Sequence, residues 1–225
     1  MEKLIHIIPT PIGNLEDITL RAIRILKEVD IILAEDTRVT RKLLKHYNIL
    51  TPMLSYHAFN EHKMLKYIID KIDGGDNIAL VSDAGTPSIS DPGFLLIREC
   101  VKHNIQIICL PGPTACIPAI VQSGIPCDRF MFEGFLPTKK GRQKRLLNIV
   151  NQAATTILYE SPHKILKTLN ELYALCPTRK VVVLKELTKI YETAYRGSIL
   201  EIIKNISESK IKGEFIIIIH GKDQE

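Results

Sequence analysis

The sequence predicts an α/β protein built from two lobes of similar size. Short apolar runs of strand length, such as Ile78–Val81, alternate with longer stretches of helical periodicity. Strands that are apolar on both faces are typical of a mainly parallel sheet with helices on each side. Glycine and proline cluster at 111–126, near the middle of the 225 residues. We therefore expect an N-terminal α/β lobe over 1–115, with a mainly parallel sheet, and a C-terminal α/β lobe over 116–225.

The elements of the N-terminal lobe follow from apolar runs, caps and turns. Thr19 is a suitable cap for the first helix, and Pro92 precedes the start of the fourth. The sequence Asp-Gly-Gly-Asp at 73–76 predicts a turn. Strands are expected at 4–8, 30–34, 78–81 and 105–110. Helices are expected at 19–28, 41–47, 60–72 and 94–101.

The C-terminal lobe alternates strands and helices in the same style but repeats none of the N-terminal sequence. Strands are expected at 130–135, 155–159, 180–184 and 214–220. Helices are expected at 141–152, 162–175 and 198–207. The two lobes are therefore not expected to be copies of one another.

The composition excludes several classes of protein. Hydrophobic residues make up 45% of the chain, which excludes a disordered protein. No apolar run approaches the ~20 residues of a membrane span, and residues 1–8 predict a strand instead of a signal peptide. The five cysteines are odd in number and contain no CxxC, which argues against a disulfide framework or a zinc site. We expect a cytoplasmic protein with no metal and no membrane partner. The net charge of +5 permits an RNA or nucleotide partner.

Three polar loops follow apolar strands and predict a ligand cleft. They lie at 9–17, 82–93 and 111–115 and are rich in Gly, Pro, Ser, Thr and Asp. Ligands of open α/β sheets gather at the carboxyl ends of the strands. The first loop is not GxGxxG, and the chain has no GxxxxGK[ST], HExxH or GxSxG motif. A nicotinamide cofactor is therefore weakly supported, and phosphate hydrolysis, zinc proteolysis and serine esterase chemistry have no support.

Eight ordered stretches of the chain resemble one family. The stretches are PTPIGNLEDITLRA at 9–22, AEDTRVTRKLL at 34–44, VSDAGTPSISDPGF at 81–94, PGPTA at 111–115, FEGFLPTKKGR at 132–142, YESPHK at 159–164, KELTKIYET at 185–193 and RGS at 196–198. The chain resembles the tetrapyrrole-methylase-like superfamily of S-adenosylmethionine (SAM) enzymes. Within it, the chain looks like the small-subunit (16S) ribosomal RNA methyltransferases that methylate a cytidine ribose 2′-hydroxyl.

The resemblance implies the fold, the cofactor and the partners. Two lobes of the tetrapyrrole methylase type would bind SAM in a cleft between them, and the enzyme would act as a homodimer on small-subunit rRNA or on the assembled 30S subunit. The cofactor-binding positions that it implies are Pro11, Ile12, Asp83, Ala84, Gly85, Thr86, Ile89, Thr114, Ala115, Tyr159, Glu160 and Leu187.

Charged clusters supply candidates for catalysis and for RNA binding. A ribose hydroxyl is a poor nucleophile, so that a base or a polarising cation would assist methyl transfer. The catalytic candidates are Glu35, Asp36 and Arg38 after the second strand, and Lys185, Glu186 and Lys189 in the C-terminal lobe. The candidates for RNA binding form a basic cluster, in which each cation can contact a phosphate: Lys139, Lys140, Arg142, Lys144 and Arg145.

Three other functions stay open on the sequence alone. A tetrapyrrole C-methyltransferase would share the fold and the cofactor, but such enzymes carry a GxGPGD-like first loop where this chain has PTPIGN at 9–14. A methyltransferase that acts on a protein side chain would likewise carry a glycine-rich first loop. A non-catalytic RNA-binding protein would not bind SAM. Calorimetry with SAM separates the last of these from the enzymes.

Overall fold

The structure is a computed structural model that describes residues 3–222. Residues 1 and 2, which the sequence assigned to the N-terminal strand segment, and residues 223–225 lie outside the described part. The chain divides into two compact units, of which the first ends at Thr114 and the second begins at Ala115. Each unit is described by itself.

From residue 3 onward, the first unit alternates strands and helices. Its strands are β1 Leu4–Ile7, β2 Ile31–Ala34, β3 Met53–Ser55, β4 Ile78–Val81 and β5 Gln106–Cys109. Its helices are a 3-10 turn at Leu15–Asp17, α1 Leu20–Glu28, α2 Thr37–His46, α3 Glu61–Asp73 and α4 Phe94–Lys102.

The first sheet is fully parallel, as the apolar strands predicted. Its strand order is β3-β2-β4-β1-β5, so that β1 lies between β4 and β5. Because all five strands run the same way, their carboxyl ends lie along one edge. The loops that follow β1, β4 and β5 therefore leave adjacent strands at the same edge, and these are the three polar loops of the sequence.

Helices cover both faces of this sheet. On one face, Ile25 of α1 and Leu43 of α2 belong to a buried cluster with Ile32. On the other face, buried side chains of α3 and α4, such as Ile68 and Leu96, pack against different strand residues. Full burial of one such side chain contributes about 1.5–3 kcal/mol relative to exposure. The layers thus hold the strand ends, and the loops after them, in fixed positions.

Polar caps determine where the first two helices begin. The Thr19 side chain accepts a hydrogen bond from the Ala22 backbone N–H at 3.0 Å, which confirms the predicted start of α1. Helix α2 begins four residues earlier than the expected 41, at Thr37. The Asp36 carboxylate accepts from the Arg38 backbone N–H at 2.8 Å and satisfies a donor of the first turn. The early start follows from this cap.

The second unit is built on another sheet, with a helix before it and three more between its strands. Its strands are β6 Phe130–Phe135, β7 Thr155–Glu160, β8 Val181–Lys185, β9 Thr193–Tyr195 and β10 Phe215–Ile219. Its helices are α5 Cys116–Ser123, α6 Arg142–Val150, α7 Ile165–Leu175 and α8 Ile199–Ser207.

The second sheet is mixed, although the chain alternates strands and helices as it does in the first unit. The strand order is β6-β7-β10-β8-β9, and only β6 and β7 are parallel to each other. Strand β10 pairs antiparallel with both β7 and β8, and β8 pairs antiparallel with β9. The 186–192 connection is too short to hold a crossover helix, so β8 and β9 pair antiparallel.

Besides the short 3-10 turn at Leu15–Asp17, three elements among the described residues were absent from the sequence-based expectation. Helix α5 lies inside the 111–126 segment, where clustered Gly and Pro predicted only a boundary. Pro118 is its third residue, and a proline is tolerated there because the first-turn N–H groups have no helical partner. Strands β3 and β9 have three residues each, which is too short to show a period of two.

Candidate functional site

The loops after β1 and β4 are joined by hydrogen bonds in the first unit. The backbone N–H of Thr10 donates to the Gly85 carbonyl at 2.9 Å, and that of Gly85 donates to the Thr10 carbonyl at 2.9 Å. The Thr10 hydroxyl donates to the Ser82 carbonyl at 2.9 Å, and the Ser82 hydroxyl donates to the Gly85 carbonyl at 3.1 Å. These bonds hold the two loops as one rigid unit.

The loop after β5 joins the same arrangement at Gly85 and Thr86. Gly85 has a φ of +84°, which favours glycine, and a Cβ built there would lie 3.4 Å from Ile12 Cγ2 and 4.0 Å from Thr114 Cα. The Thr86 hydroxyl donates to the Pro113 carbonyl at 3.1 Å. The structure therefore brings together Ile12, Gly85, Thr86 and Thr114, which come from the three predicted loops.

The other predicted cofactor residues of the first unit differ in exposure. Pro11 and Asp83 are half-buried, whereas Ala84 and Ile89 are exposed. These loops thus present an accessible surface that combines small, apolar and polar groups.

Three carboxylates lie at the ends of β2 and β4. The Asp36 backbone N–H donates to Asp83 Oδ1 at 3.0 Å, and the Asp83 backbone N–H donates to Glu35 Oε2 at 3.4 Å. Asp36 also forms an ion pair with Arg38, whose guanidinium nitrogen Nη2 lies 2.6 Å from Oδ2. The structure thereby brings together Glu35, Asp36 and Arg38, the first set of catalytic candidates, and adds Asp83.

These carboxyl groups differ in their affinity for a proton. Burial raises the pKa of Glu35 and that of Asp83, because a buried charge loses its hydration. The hydrogen bond from the Arg38 side chain lowers the pKa of Asp36 to about 2. Asp36 therefore stays ionised at neutral pH, while Glu35 holds its proton more tightly than an ordinary glutamate does.

A cavity of about 190 Å³ lies beside these loops in the first unit. Its lining residues come from the loops after β1 and β4 and from α2: Thr10, Pro11, Gly13, Leu15, Val39, Thr40, Lys42, Leu43, Ser82 and Asp83. Pro11 and Asp83 are the two of these that the sequence had assigned to the cofactor. The first unit thus holds a chamber next to the proposed SAM contacts.

Three of the predicted residues of the second unit, Tyr159, Glu160 and Lys185, lie at one end of its sheet. Glu160 of β7 and Lys185 of β8 both pair with Phe215, on opposite sides of β10. Tyr159 packs edge-on against the rings of Phe132 and Phe135, with centroids 4.9 and 5.7 Å away. The phenylalanine rings thus contact another ring of the same sheet.

Ala115 is the first residue of the second unit and precedes α5, which packs against β8 and β10. Of the predicted cofactor residues in this unit, Ala115 and Tyr159 are half-buried, whereas Glu160 and Leu187 are buried.

Glu160 and Arg142 belong to one buried polar network. Arg142 is 5% exposed and donates to Glu171 Oε2 at 2.7 Å and to the Thr168 hydroxyl at 2.7 Å. That hydroxyl donates to Glu160 Oε2 at 2.6 Å, and Glu160 Oε1 accepts from the Ser161 backbone N–H at 2.8 Å. Both oxygens of the Glu160 carboxylate therefore accept hydrogen bonds from within the second unit.

Burial corrects the assignment of Arg142 as an RNA contact. Its guanidinium is satisfied inside the unit and cannot reach a phosphate without breaking the network. The other four residues of the basic cluster are exposed, although Arg145 forms an ion pair with Glu133 at 2.5 Å. The sequence has five cations in this segment. Arg142 faces inward because it lies on the side of α6 that packs Leu146 and Ile149 onto the core.

Glu186 and Lys189 brace a strained loop after β8. Glu186 has a φ of +52° and Thr188 a φ of +63°, which are uncommon for residues other than glycine. Glu186 Oε1 accepts from Lys189 Nζ at 2.8 Å and from the Glu214 backbone N–H at 2.9 Å. Burial acts to raise the pKa of Glu186, but these hydrogen bonds outweigh it and lower the pKa. Leu187 lies buried between these residues.

Lys185, the remaining catalytic candidate, also makes contacts within the second unit. Its Nζ donates to the Lys210 carbonyl at 3.0 Å and lies 5.8 Å from the centroid of the Phe215 ring. Both of its contacts thus anchor the side chain beside the end of β8.

Several residues that build the site were missed in the sequence. Thr10 and Ser82 join two loops through their side chains, and Pro113 accepts the bond from Thr86. Thr10 and Ser82 each follow a buried strand closely and stand inside matched stretches, which is the signal that could have identified them. The acceptor role of the Pro113 carbonyl has no sequence signal, since every residue has a carbonyl.

Neither a membrane-spanning helix nor a metal-binding cluster is found among the described residues. No helix within 3–222 is long and apolar enough to cross a membrane. Over the same residues, no group of three or more His, Cys, Asp or Glu side chains is arranged to hold a metal ion.

Comparison with known proteins gives close relatives. The protein named ribosomal RNA small subunit methyltransferase I from Synechocystis sp. is 47% identical over 224 residues, which cover 99% of this chain and 80% of that protein. The protein of the same name from Thermotoga maritima is 43% identical over 223 residues, which cover 99% of this chain and 100% of the relative. Relatives of this name thus match almost the whole chain.

Solved structures with low sequence identity show the same fold. A cobalt precorrin-4 methyltransferase of cobalamin biosynthesis superimposes with a TM-score of 0.70 at 16% identity, covering 97% of this chain and 95% of that one. The uroporphyrin-III-C-methyltransferase of Thermus thermophilus gives a TM-score of 0.69 at 15% identity, covering 97% and 94%. At these identities the likeness concerns the fold alone, and it confirms the predicted fold class.

A family model settles the membership of the chain. The model described as Tetrapyrrole (Corrin/Porphyrin) Methylases matches residues 4–203. The match runs through both units and includes all eight stretches on which the resemblance was noted. The chain therefore belongs to the tetrapyrrole (corrin/porphyrin) methylase family, and it is a methyltransferase that uses SAM as its methyl donor.

Proposed function

We propose that this protein transfers a methyl group from SAM to small-subunit ribosomal RNA. The observation that carries the proposal is the 43–47% identity, over nearly the whole chain, to proteins named ribosomal RNA small subunit methyltransferase I. The solved tetrapyrrole methyltransferases are only 15–16% identical, so they support the fold and not the substrate.

The loops of the first unit fit SAM. Gly85 leaves a space that a Cβ would fill, and Ile12 and Thr114 border that space. Ile12 offers an apolar contact for the adenine ring, the exposed Ala84 adds little bulk, and Asp83 and Thr86 can bind the polar groups of the ribose and the amino acid. The proposed set also includes Ile89 in the first unit. In the second unit it includes Ala115, Tyr159, Leu187 and the backbone of Glu160. When bound, SAM supplies an electrophilic methyl group.

We assign the acceptor as a cytidine ribose 2′-hydroxyl, as the family resemblance implies. Glu35 is the best candidate for the proton acceptor, because burial brings its pKa closer to neutrality. Asp36 is a weaker base since its pKa of about 2 leaves it little affinity for a proton. The Asp36 carboxylate instead caps the start of α2, and the Asp36 backbone N–H donates to the Asp83 carboxylate.

The second catalytic cluster acts by positioning. Glu186 and Lys189 hold the loop around Leu187 in its left-handed turns, and Lys185 is anchored to the Lys210 carbonyl. We therefore propose that Lys185, Glu186 and Lys189 orient Leu187 toward the cofactor and do not take part in proton transfer.

The proposal for RNA binding rests on the exposed part of the basic cluster. Lys139, Lys140 and Lys144 are exposed at the start of α6, where each can neutralise a phosphate, and Arg145 can do so if it leaves Glu133. The family resemblance supports three further parts of the proposal: a homodimer, an assembled 30S subunit as the substrate, and a cytoplasmic location.

Calorimetry with SAM, followed by transfer of a tritiated methyl group, tests the function. The acceptors are purified small ribosomal subunits, with large subunits as a matched control and uroporphyrinogen III as a tetrapyrrole. We expect SAM to bind and label to enter only the small-subunit RNA. Label in the tetrapyrrole, or equal label in both subunits, would contradict the assigned substrate.

A further inference from the structure

His57 is a half-buried histidine just after β3 that the proposed function leaves unexplained. Ala34 of β2 lies opposite Ser55 of β3, and the Tyr56 backbone N–H donates to the Ala34 carbonyl at 2.8 Å. Because β2 and β3 are parallel, Glu35 and His57 follow neighbouring strands at the same edge of the sheet. Burial raises the pKa of Glu35, and His57 is close enough to lower it in part. The edge that holds the catalytic carboxylates thus extends to His57.

Hydrogen bonds within the loop fix the His57 side chain and its tautomer. Asn60 Oδ1 accepts from the His57 backbone N–H at 2.8 Å, and Asn60 Nδ2 donates to the Ser55 carbonyl at 2.9 Å. The Phe59 backbone N–H donates to His57 Nδ1 at 3.2 Å. Because Nδ1 acts as an acceptor, the neutral ring carries its proton on Nε2. The loop therefore presents Nε2 as a hydrogen-bond donor.

The Nε2 atom of His57 is available to a ligand. Among residues 3–222, no acceptor takes a hydrogen bond from this atom, and it is not among the unpartnered atoms that are sealed from solvent. In this tautomer Nε2 already holds a proton, so it does not compete with Glu35 as the base. His57 is thus suited to binding an acceptor group of the substrate.

The strand order places His57 beyond Glu35, on the side away from the cofactor loops. In the order β3-β2-β4-β1-β5, the loops assigned to SAM follow β4, β1 and β5, whereas Glu35 follows β2 and His57 follows β3. Neighbouring strands lie about 4.8 Å apart. Methyl transfer requires the donor, the acceptor hydroxyl and the base to be adjacent. The acceptor ribose therefore belongs near the end of β2, with the end of β3 beside it.

An RNA substrate brings negative charge to an edge that is already rich in carboxylates. Glu35, Asp36 and Asp83 are joined there by hydrogen bonds. Two nitrogens of Arg38 are occupied, since Nε and Nη2 donate to the Asp36 carboxylate at 3.0 and 2.6 Å. A phosphate at this edge needs a donor without another partner, and His57 Nε2 meets that requirement. A bond from it to a phosphate would be strengthened by the charge of the acceptor.

We propose that His57 Nε2–H binds the phosphate group attached to the 3′-oxygen of the methylated ribose. This phosphate is the neighbour of the 2′-hydroxyl in the nucleotide, so that the bond holds the hydroxyl beside Glu35. The contact is made to the sugar-phosphate backbone, which positions the RNA and reads no base. This inference rests on the proposed function.

Substitution of His57 separates substrate binding from chemistry in methyl transfer to small subunits. A phosphate contact that is equal in the ground state and the transition state affects KM and not kcat. His57→Leu should therefore raise the KM for the subunit about tenfold or more, while kcat and the SAM affinity in calorimetry stay nearly constant. His62→Leu, at an exposed histidine of α3, is the matched control and should change none of these. A lower kcat at constant KM, or no change in either, would overturn the proposal.

Two amide variants test which ring nitrogen of His57 makes the contact. His57→Gln has an N–H at about the reach of Nε2 and should recover most of the wild-type KM. His57→Asn ends its shorter amide near the position of Nδ1 and should raise KM as much as His57→Leu does. This pair also decides the question if His57→Leu fails to fold. Equal KM values for the Gln and Asn variants would contradict a role for Nε2.

NMR spectroscopy tests the donor without any measurement of activity. Long-range ¹H–¹⁵N spectra of histidine-labelled protein, at a pH where the ring is neutral, should show the His57 proton on Nε2. The His57→Gln variant assigns the signals by their loss. A proton on Nδ1 would contradict the inference even if wild-type protein methylates small subunits. If the wild-type protein transfers nothing to small subunits, the proposed function is wrong and the phosphate contact falls with it, whichever tautomer is found.

Discussion

At the scale of single residues, Glu35 and Asp36 show how neighbours in the chain acquire opposite chemistry. Glu35 ends up half-buried after β2, where its charged form is penalised. Asp36 caps α2 and holds Arg38, so its charged form is favoured. The sequence presented both as equal candidates for the base. The structure distinguishes them through burial and pairing.

Glu35→Gln tests this distinction through the pH dependence of methyl transfer. A base must be deprotonated to act, so the rate should fall as the pH drops through the raised pKa of Glu35. The variant should lose about a hundredfold or more in kcat and lose this acidic limb, while its affinity for SAM stays constant. Asp36→Asn should keep the limb, because the low pKa of Asp36 leaves it ionised throughout. An acidic limb that persists in Glu35→Gln would remove Glu35 from this role.

At the scale of elements, the site depends on three loops that are locked at Gly85. The φ of +84° at Gly85 is strained for any residue with a Cβ, and a Cβ there would also contact Ile12 across the loop. Gly85→Ala should therefore cost about 1 kcal/mol of stability and weaken SAM binding. Gly124 provides the control, because it has a φ of +67° with no atom within 4 Å of a built Cβ. Gly124→Ala should cost similar stability, as measured by denaturant unfolding, and leave SAM affinity unchanged in calorimetry.

The α6 helix contains both a structural arginine and surface lysines. Arg142→Ala would remove the buried donor that Glu171 and the Thr168 hydroxyl share, so the free energy of unfolding should fall by about 3 kcal/mol. Lys144→Ala, two residues away on the exposed face, should change it by less than about 0.5 kcal/mol. Denaturant unfolding of both variants measures the two changes in the free energy of unfolding. Equal stability of the two would mean that the buried network is not formed.

Periodicity and caps predicted most elements, and the misses have physical causes. Thr19 identified the start of α1, and fully apolar strands identified the parallel first sheet. The antiparallel placement of β10 depends on pairing across the chain, for which apolar strand residues carry no signal. The motif matches selected loops that do meet at Gly85 in the first unit. They could not show that Arg142 faces inward, because only packing decides which side of a basic helix is buried.

At the scale of the whole molecule, the chain carries a net charge of +5, and three of its lysines lie close together in the sequence of the second unit. Lys139, Lys140 and Lys144 are exposed near the start of one helix. Replacement of all three with Ala should weaken binding to small-subunit RNA. It should also reduce the slope of log K against log salt by up to about 0.7–0.9 for each phosphate that the variant no longer neutralises. Filter binding at several salt concentrations measures both quantities.

A matched triple variant separates a local effect from a general effect of charge. Lys27, Lys63 and Lys66 are also exposed, but lie on helices of the first unit. Their replacement with Ala removes the same charge and should leave the salt slope nearly unchanged. Equal slopes for the two triple variants would mean that the start of α6 has no special role in RNA binding.

The position of the transferred methyl group tests the central claim most directly. Small subunits are incubated with the protein and tritiated SAM, and the RNA is then hydrolysed in alkali, which cannot cleave beside a methylated 2′-oxygen. We predict that the label stays in an alkali-resistant dinucleotide, which nuclease digestion and mass spectrometry identify as containing 2′-O-methylcytidine. Label released as a base-methylated mononucleotide, or a small-subunit RNA that gains no label, would contradict the account.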